Sequence, residues 1–212
     1  MDRVFIQLHA VWAEAVTIWV AGGPAMIAIA AIALVMFAVG MHVLMELRAT
    51  GFGSVPEHRW RRWIDHPGER EGRIGDLLEF VTKARTLADS AHLFDQVRST
   101  RAKPFERDLL VMKICVSAAP LVGLLGTVTG MLATFGALAT GSGGDKTMGM
   151  IAEGISVALI TTETGLVVAL PGLFFQYQLV RKLESYKAFL AHVETVCTQT
   201  LYFTLRRGAA AA

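Results

Sequence analysis

Apolar residues run along this chain in three long stretches. Between Glu14 and Glu46 lie 31 residues without Asp, Glu, Lys or Arg, and between Lys113 and Asp145 lie another 31. From Gly154 to Val180 there are 27 residues with one charge, Glu163. A helical crossing of a bilayer takes about 20 apolar residues at about 1.5 Å rise each, so the pattern predicts three transmembrane helices. The flanking segments keep a helical period as well. Val4, Phe5, Leu8, Val11, Trp12, Ala15, Ile18 and Trp19 recur every three or four positions, which predicts an amphipathic interfacial helix over residues 1–21. Its Asp2 and Arg3 cancel, and the apolar run beyond is too long for a cleaved signal peptide. Gly22, Gly23 and Pro24 separate it from a first span over 22–45.

Ile74, Leu77, Leu78, Val81, Ala84, Leu87, Ala91, Phe94 and Val97 hold a 3.6-residue period, so the 46–103 loop is expected to be helical. Pro104 suits a first helical turn and opens a second helix over 104–141. Residues 142–153 read as a turn and helix start. The third helix, 154–207, runs beyond its span through Leu183, Tyr186, Leu190, Val193, Cys197 and Leu201, and 208–212 is a low-complexity tail. The expected fold is all-α: three spans, with long second and third helices extending into a helical bundle on one side of the membrane.

Composition agrees. The chain is 53% hydrophobic and 18% charged, where soluble domains carry about 25% charge. A disordered chain is excluded, two cysteines make no disulfide scaffold, and a net charge of +2 gives no case for nucleic acid. Basic residues set the orientation. The stretch from Glu46 to Lys113 holds 13 of the 20 Lys and Arg and the segment from Arg181 onward holds 5. Those parts are therefore expected in the cytoplasm, with the N-terminus outside.

The spans differ in polarity. From Pro24 to Val39 the first has no polar side chain, as a lipid-facing helix would. The second carries Ser117, Thr127, Thr129, Thr134 and Thr140, and the third Ser156, Thr161, Thr162, Glu163 and Thr164. Ala119, Gly123, Thr127, Gly130, Thr134, Ala137 and Gly141 form one small-residue stripe, and Gly154, Ala158, Thr162, Gly165, Ala169 and Gly172 form another. Small residues let helices approach closely where lipid offers no hydrophobic drive. The residues alone leave two readings open: packing seams that include Gly126, or walls of a shared lumen with Thr127, Thr134, Thr161 and Thr162 as polar points. Glu163 costs about 3 kcal/mol at mid-membrane by insertion scales, so ion handling competes there with a structural hydrogen bond. Pro120 and Pro171 are expected to bend their helices. Neither a metal triad, a cofactor motif nor a nucleophile–base pair is present, which argues against an enzyme.

The run Ala119-Pro-Leu-Val-Gly-Leu-Leu-Gly-Thr-Val-Thr-Gly130 resembles the second-span signature of the MotA/TolQ/ExbB proton-channel family, and residues 154–171 resemble that of the third span. Three spans place the chain nearer ExbB and TolQ than MotA. The resemblance implies a homopentamer in the bacterial inner membrane. Its second and third helices would line a pore around a single-span ExbD/TolR-like partner, usually two copies, whose intramembrane aspartate carries H⁺ or Na⁺. A TonB- or TolA-like protein would receive the work, in TonB-dependent import or Tol-Pal-type envelope maintenance. Thr127 and Thr162 match the family's pore threonines. Where ExbB-like proteins often carry a glutamate, three residues after the glycine opening the third motif, this chain has Val157, and the acid stands instead at Glu163. A non-conducting oligomeric membrane scaffold is the alternative from another class.

Overall fold

A computed structural model describes Trp19 and residues 22–53, 55–140 and 144–211. Apart from Trp19, the amphipathic segment expected over 1–21 lies outside the described residues, as does Gly141. Every regular element among the described residues is helical: α1 (Gly23–Ala49), α2 (Glu57–Asp65), a 3-10 turn (Pro67–Glu69), α3 (Gly72–Val81), α4 (Leu87–Val97), a π segment (Arg98–Ala102), α5 (Lys103–Thr140) and α6 (Asp145–Ala211). α6 thus starts ahead of Gly154 and continues through the backbone of the tail. α1, α5 and α6 are each long and apolar enough to cross a membrane. Gly23 begins α1 at φ +65°, a backbone that side chains other than hydrogen resist, and Pro24 follows where no amide donor is needed.

The chain divides into two compact units. The first comprises Met1–Ala38 and Val111–Phe175. Here α1 buries Met26, Ile29 and Met36. Met36 fills the space over Gly172, and Phe37 stacks on Phe175 with ring centroids 6.4 Å apart. Only 22% of the most apolar window of α1 is buried, and Ile27, Leu34 and Val35 stand exposed. An uninterrupted apolar face of this kind suits lipid.

The second unit comprises Val39–Leu110 and Gln176–Ala212. One stripe of α6, Leu179, Leu183, Tyr186, Leu190, Val193 and Cys197, is buried, because steps of three and four keep one face turned inward. Trp60, Leu77, Leu78, Val81, Phe94, Val97 and Phe105 complete the core. Trp60 meets Phe189 edge-on at 6.1 Å, and Phe105 meets Tyr186 likewise at 6.4 Å. A capping box starts α4: Asp89 N–H donates to Thr86 Oγ1 at 3.1 Å and Thr86 N–H to Asp89 Oδ2 at 3.2 Å. Such caps are worth about 1 kcal/mol. Pro104 stands in the first turn of α5. α4, the π segment and α5 form one uninterrupted helical run, in which Lys103 N–H reaches back to the carbonyl of Arg98.

Cys197 yields a prediction. Burial pushes its thiol up to about 11, against a smaller opposing pull from Arg70. At pH 8.5 the folded chain should hold about a hundredfold less thiolate at Cys197 than the unfolded chain. Peptide mapping after brief alkylation is expected to find Cys197 protected until denaturant is added. From about pH 9 to 11 the unfolded state loses this proton first, so its contribution to stability falls as pH rises through that window.

Candidate functional site

Four threonines of the first unit, Thr127, Thr134, Thr161 and Thr162, lie along the contact between α5 and α6. Glycine sets how close the two helices come. A Cβ added at Gly123 would lie 2.8 Å from the carbonyl oxygen of Thr161, and one at Gly130 would lie 2.6 Å from that of Gly154. One at Gly165 would lie 2.7 Å from the carbonyl oxygen of Ala119, and one at Gly126 would overlap the Thr161 side chain. Backbone thus meets backbone along the seam. Ala119, Ala137, Ala158 and Ala169 are buried in it. Both helices continue through Pro120 and Pro171.

The threonines fall into two groups. Thr134 and Thr161 are buried inside the seam, at 4% and 0% exposure. Thr134 Oγ1 donates to the Met131 carbonyl at 2.7 Å, and Thr161 Oγ1 to the carbonyls of Val157 and Ala158, both at 3.0 Å. Their hydroxyls donate within α5 and α6, and the facing helix covers them. Thr127 and Thr162 stand half-buried at the seam's edge. Thr162 Oγ1 crosses to donate to the Gly123 carbonyl at 3.0 Å, and Thr127 Oγ1 donates to the next carbonyl, Leu124, at 2.6 Å. Two hydroxyls from different helices therefore sit on consecutive peptide units.

Helix geometry tells which way they face. α1 meets α6 at Val157, Gly172 and Phe175. Between the start of α1 and α5 lies a groove of about 610 Å³ touching Val122, Thr129 and Ala133. At about 100° per residue, Thr127 and Thr162 both fall on the opposite side of the seam. That side is an apolar surface including Leu124, Met131, Leu166 and Leu173, all exposed in the single chain. Each hydroxyl has given its proton to a carbonyl, so its oxygen keeps lone pairs to accept a hydrogen bond. An apolar wall with two such oxygens can hold a protonated carboxyl or a hydrated cation.

Glu163 lies about 100° beyond Thr162, further from α5. It is exposed on the single chain and forms no ion pair among the described residues. Val157 points instead toward α1, where its Cγ1 would meet a Cβ on Gly23 at 3.9 Å. The two positions therefore serve different faces of α6. The groove beside α1 also holds Glu153 and Thr129, which the stripes passed over. The signal was present, since Glu153 precedes Val157 by four residues and shares its helix face.

The profile of a family described as the MotA/TolQ/ExbB proton channel family matches residues 81–191, more than half of the chain. A biopolymer transport protein ExbB of Aquifex aeolicus is 35% identical over 122 residues, covering 53% of this chain and 80% of that protein. An ExbB-like biopolymer transport protein of Synechocystis sp. is 46% identical over 61 residues, covering 28% of this chain and 24% of its own length. A biopolymer transport protein ExbB of Helicobacter pylori is 40% identical over 76 residues, 36% of this chain and 51% of that protein. The matches to the Synechocystis and Helicobacter proteins thus span about half of their length or less.

Proposed function

The chain belongs to the MotA/TolQ/ExbB proton channel family, and on that premise we propose that it is an ion-channel and motor subunit of the ExbB/TolQ type. In this reading five copies surround a pore in the bacterial inner membrane, with the N-terminus periplasmic and the basic unit in the cytoplasm. A single-span ExbD/TolR-like protein with an intramembrane aspartate occupies that pore, and a TonB- or TolA-like protein takes up the work. The observation that carries the reading is the pair of hydroxyls, Thr162 on the Gly123 carbonyl and Thr127 on the Leu124 carbonyl, on the side of the seam away from α1. The lipid-facing character of α1 supports it.

The chemistry follows from what each residue can do. As H⁺ or Na⁺ passes, the oxygens of Thr127 and Thr162 accept hydrogen bonds from the protonated carrier or its hydration shell, and so stabilise the charge-neutral or solvated form in an apolar wall. Glu163, one position beyond Thr162, tunes the field the carrier meets. The drive is about 2.3 kcal/mol per elementary charge per 100 mV, which moves the partner and does mechanical work on a periplasmic or outer-membrane process.

Co-expression with a single-span protein that carries an intramembrane aspartate tests this. The two are expected to co-purify, and proteoliposomes containing both should acidify internally, or take up Na⁺, under an imposed potential. An assembled complex that passes neither ion would favour the non-conducting scaffold.

A further inference from the structure

The second unit carries a hollow of about 530 Å³ where α1 ends, its largely apolar lining studded with charged side chains. Its walls present His42 and Glu46 from α1, Arg73 and Asp76 from α3, Arg101 from the π segment and Asp108 from α5. Phe105 and Tyr186, both buried, form an aromatic floor. π turns inside helices occur frequently at functional sites. This one turns Thr100 and Arg101 to the hollow while burying Ala102.

The charges do not cancel in place. Arg73 Nη1 pairs with Glu46 Oε2 at 3.0 Å. Among the described residues Arg101 Nη1 donates only to the backbone carbonyl of Arg73, at 3.5 Å. Asp76 and Asp108 take part in no ion pair among the described residues. What remains is one unneutralised guanidinium and two unneutralised carboxylates around a single space. A purely anionic guest would meet both carboxylates, and a bare metal ion lacks a cage, since no three His, Cys, Asp or Glu among the described residues stand close enough to hold one. A guest with both signs a few bonds apart satisfies all three groups. The hollow opens at the charged end of a membrane-crossing helix, where Arg48 closes α1, and that is the depth of lipid headgroups.

We propose that this hollow binds the headgroup of a zwitterionic phospholipid of the ethanolamine class, with its phosphate diester at Arg101 and Arg73 and its primary ammonium at Asp76 and Asp108. Arginine suits a phosphate through parallel donors, and the two carboxylates select the ammonium over an uncharged headgroup. The assignment rests on α1 crossing a membrane and not on ion conduction, so it can fail while the channel reading stands.

The experiment uses the purified full-length chain in detergent, offered equal concentrations of short-chain phosphatidylethanolamine or phosphatidylglycerol, with lipid retention read by native mass spectrometry. Phosphatidylethanolamine is expected to be held about tenfold more tightly, about 1.4 kcal/mol. Asp76→Asn combined with Asp108→Asn should erase the preference, and Arg101→Gln should weaken retention of both lipids. Equal retention by the unaltered chain overturns the proposal without any variant needing to fold. So does a preference that survives the double aspartate change. Free phosphoethanolamine binding as tightly as the lipid would overturn the membrane source, and a second copy cross-linking from position 76 would replace the lipid with a protein.

Discussion

Thr162→Val is expected to cut ion flux about ten- to a hundredfold while leaving the chain folded and assembled. Valine keeps the branched shape and removes only the hydroxyl, so the helix contact stays filled. Losing the hydrogen bond to the Gly123 carbonyl costs about 0.6 to 1 kcal/mol inside a membrane protein, too little to open a seam built on backbone contacts. The transported ion loses more. A hydrogen bond to a charged group is worth about 1.5–3 kcal/mol, and each 1.4 kcal/mol on the barrier is a factor of about ten in rate. Proteoliposome flux of the proposed complex with a single-span partner, beside size-exclusion profiles, separates the two effects. Thr162→Ser should retain most of the flux. Unchanged flux in Thr162→Val would remove Thr162 from the pathway.

Gly130→Val should do the reverse and abolish assembly. Its first added carbon would lie 2.6 Å from the Gly154 carbonyl oxygen and 2.9 Å from Ala158 Cβ, and neither atom can swing aside as a long side chain could. Overpacking of a tight core costs about 1–3 kcal/mol where neighbours adjust, and here the neighbour is main chain. We expect a fall in melting temperature of several degrees and loss of the monodisperse species in detergent. Gly149→Ala, where a Cβ meets nothing within 4 Å, should be tolerated. If Gly130→Val behaved like Gly149→Ala, the close approach of α5 and α6 would be refuted.

Much of this was legible in the residues. The three spans follow from the run lengths, and the inward stripe of α6 from Leu179 to Cys197 follows from its spacing. What spacing could not fix was the fine rotation of α5 against α6. Neighbouring positions on a helix differ by about 100°, and small residues at steps of three and four fit more than one stripe. The stripe through Thr127 and Thr162 and the one through Gly126 and Thr161 look alike as text. The structure buries Gly126 and Thr161 together with most of the first stripe and leaves Thr127 and Thr162 at the rim, with Gly126 making room for the Thr161 side chain. At Thr134 spacing decides as little, since a hydroxyl that bonds its own helix is as easily packed as exposed. The π segment was invisible because nothing in Arg98–Ala102 breaks a helix, and Pro104 read naturally as a beginning.

The Thr162 hydroxyl docks on a peptide oxygen and not on a side chain. No substitution confined to α5 can delete that acceptor, provided residue 123 stays small enough for the two chains to touch. Mutational sensitivity of this cross-link is therefore one-sided. A saturation scan would find α5 permissive in chemistry and strict in size at that level, while on α6 the requirement would be for a hydroxyl itself.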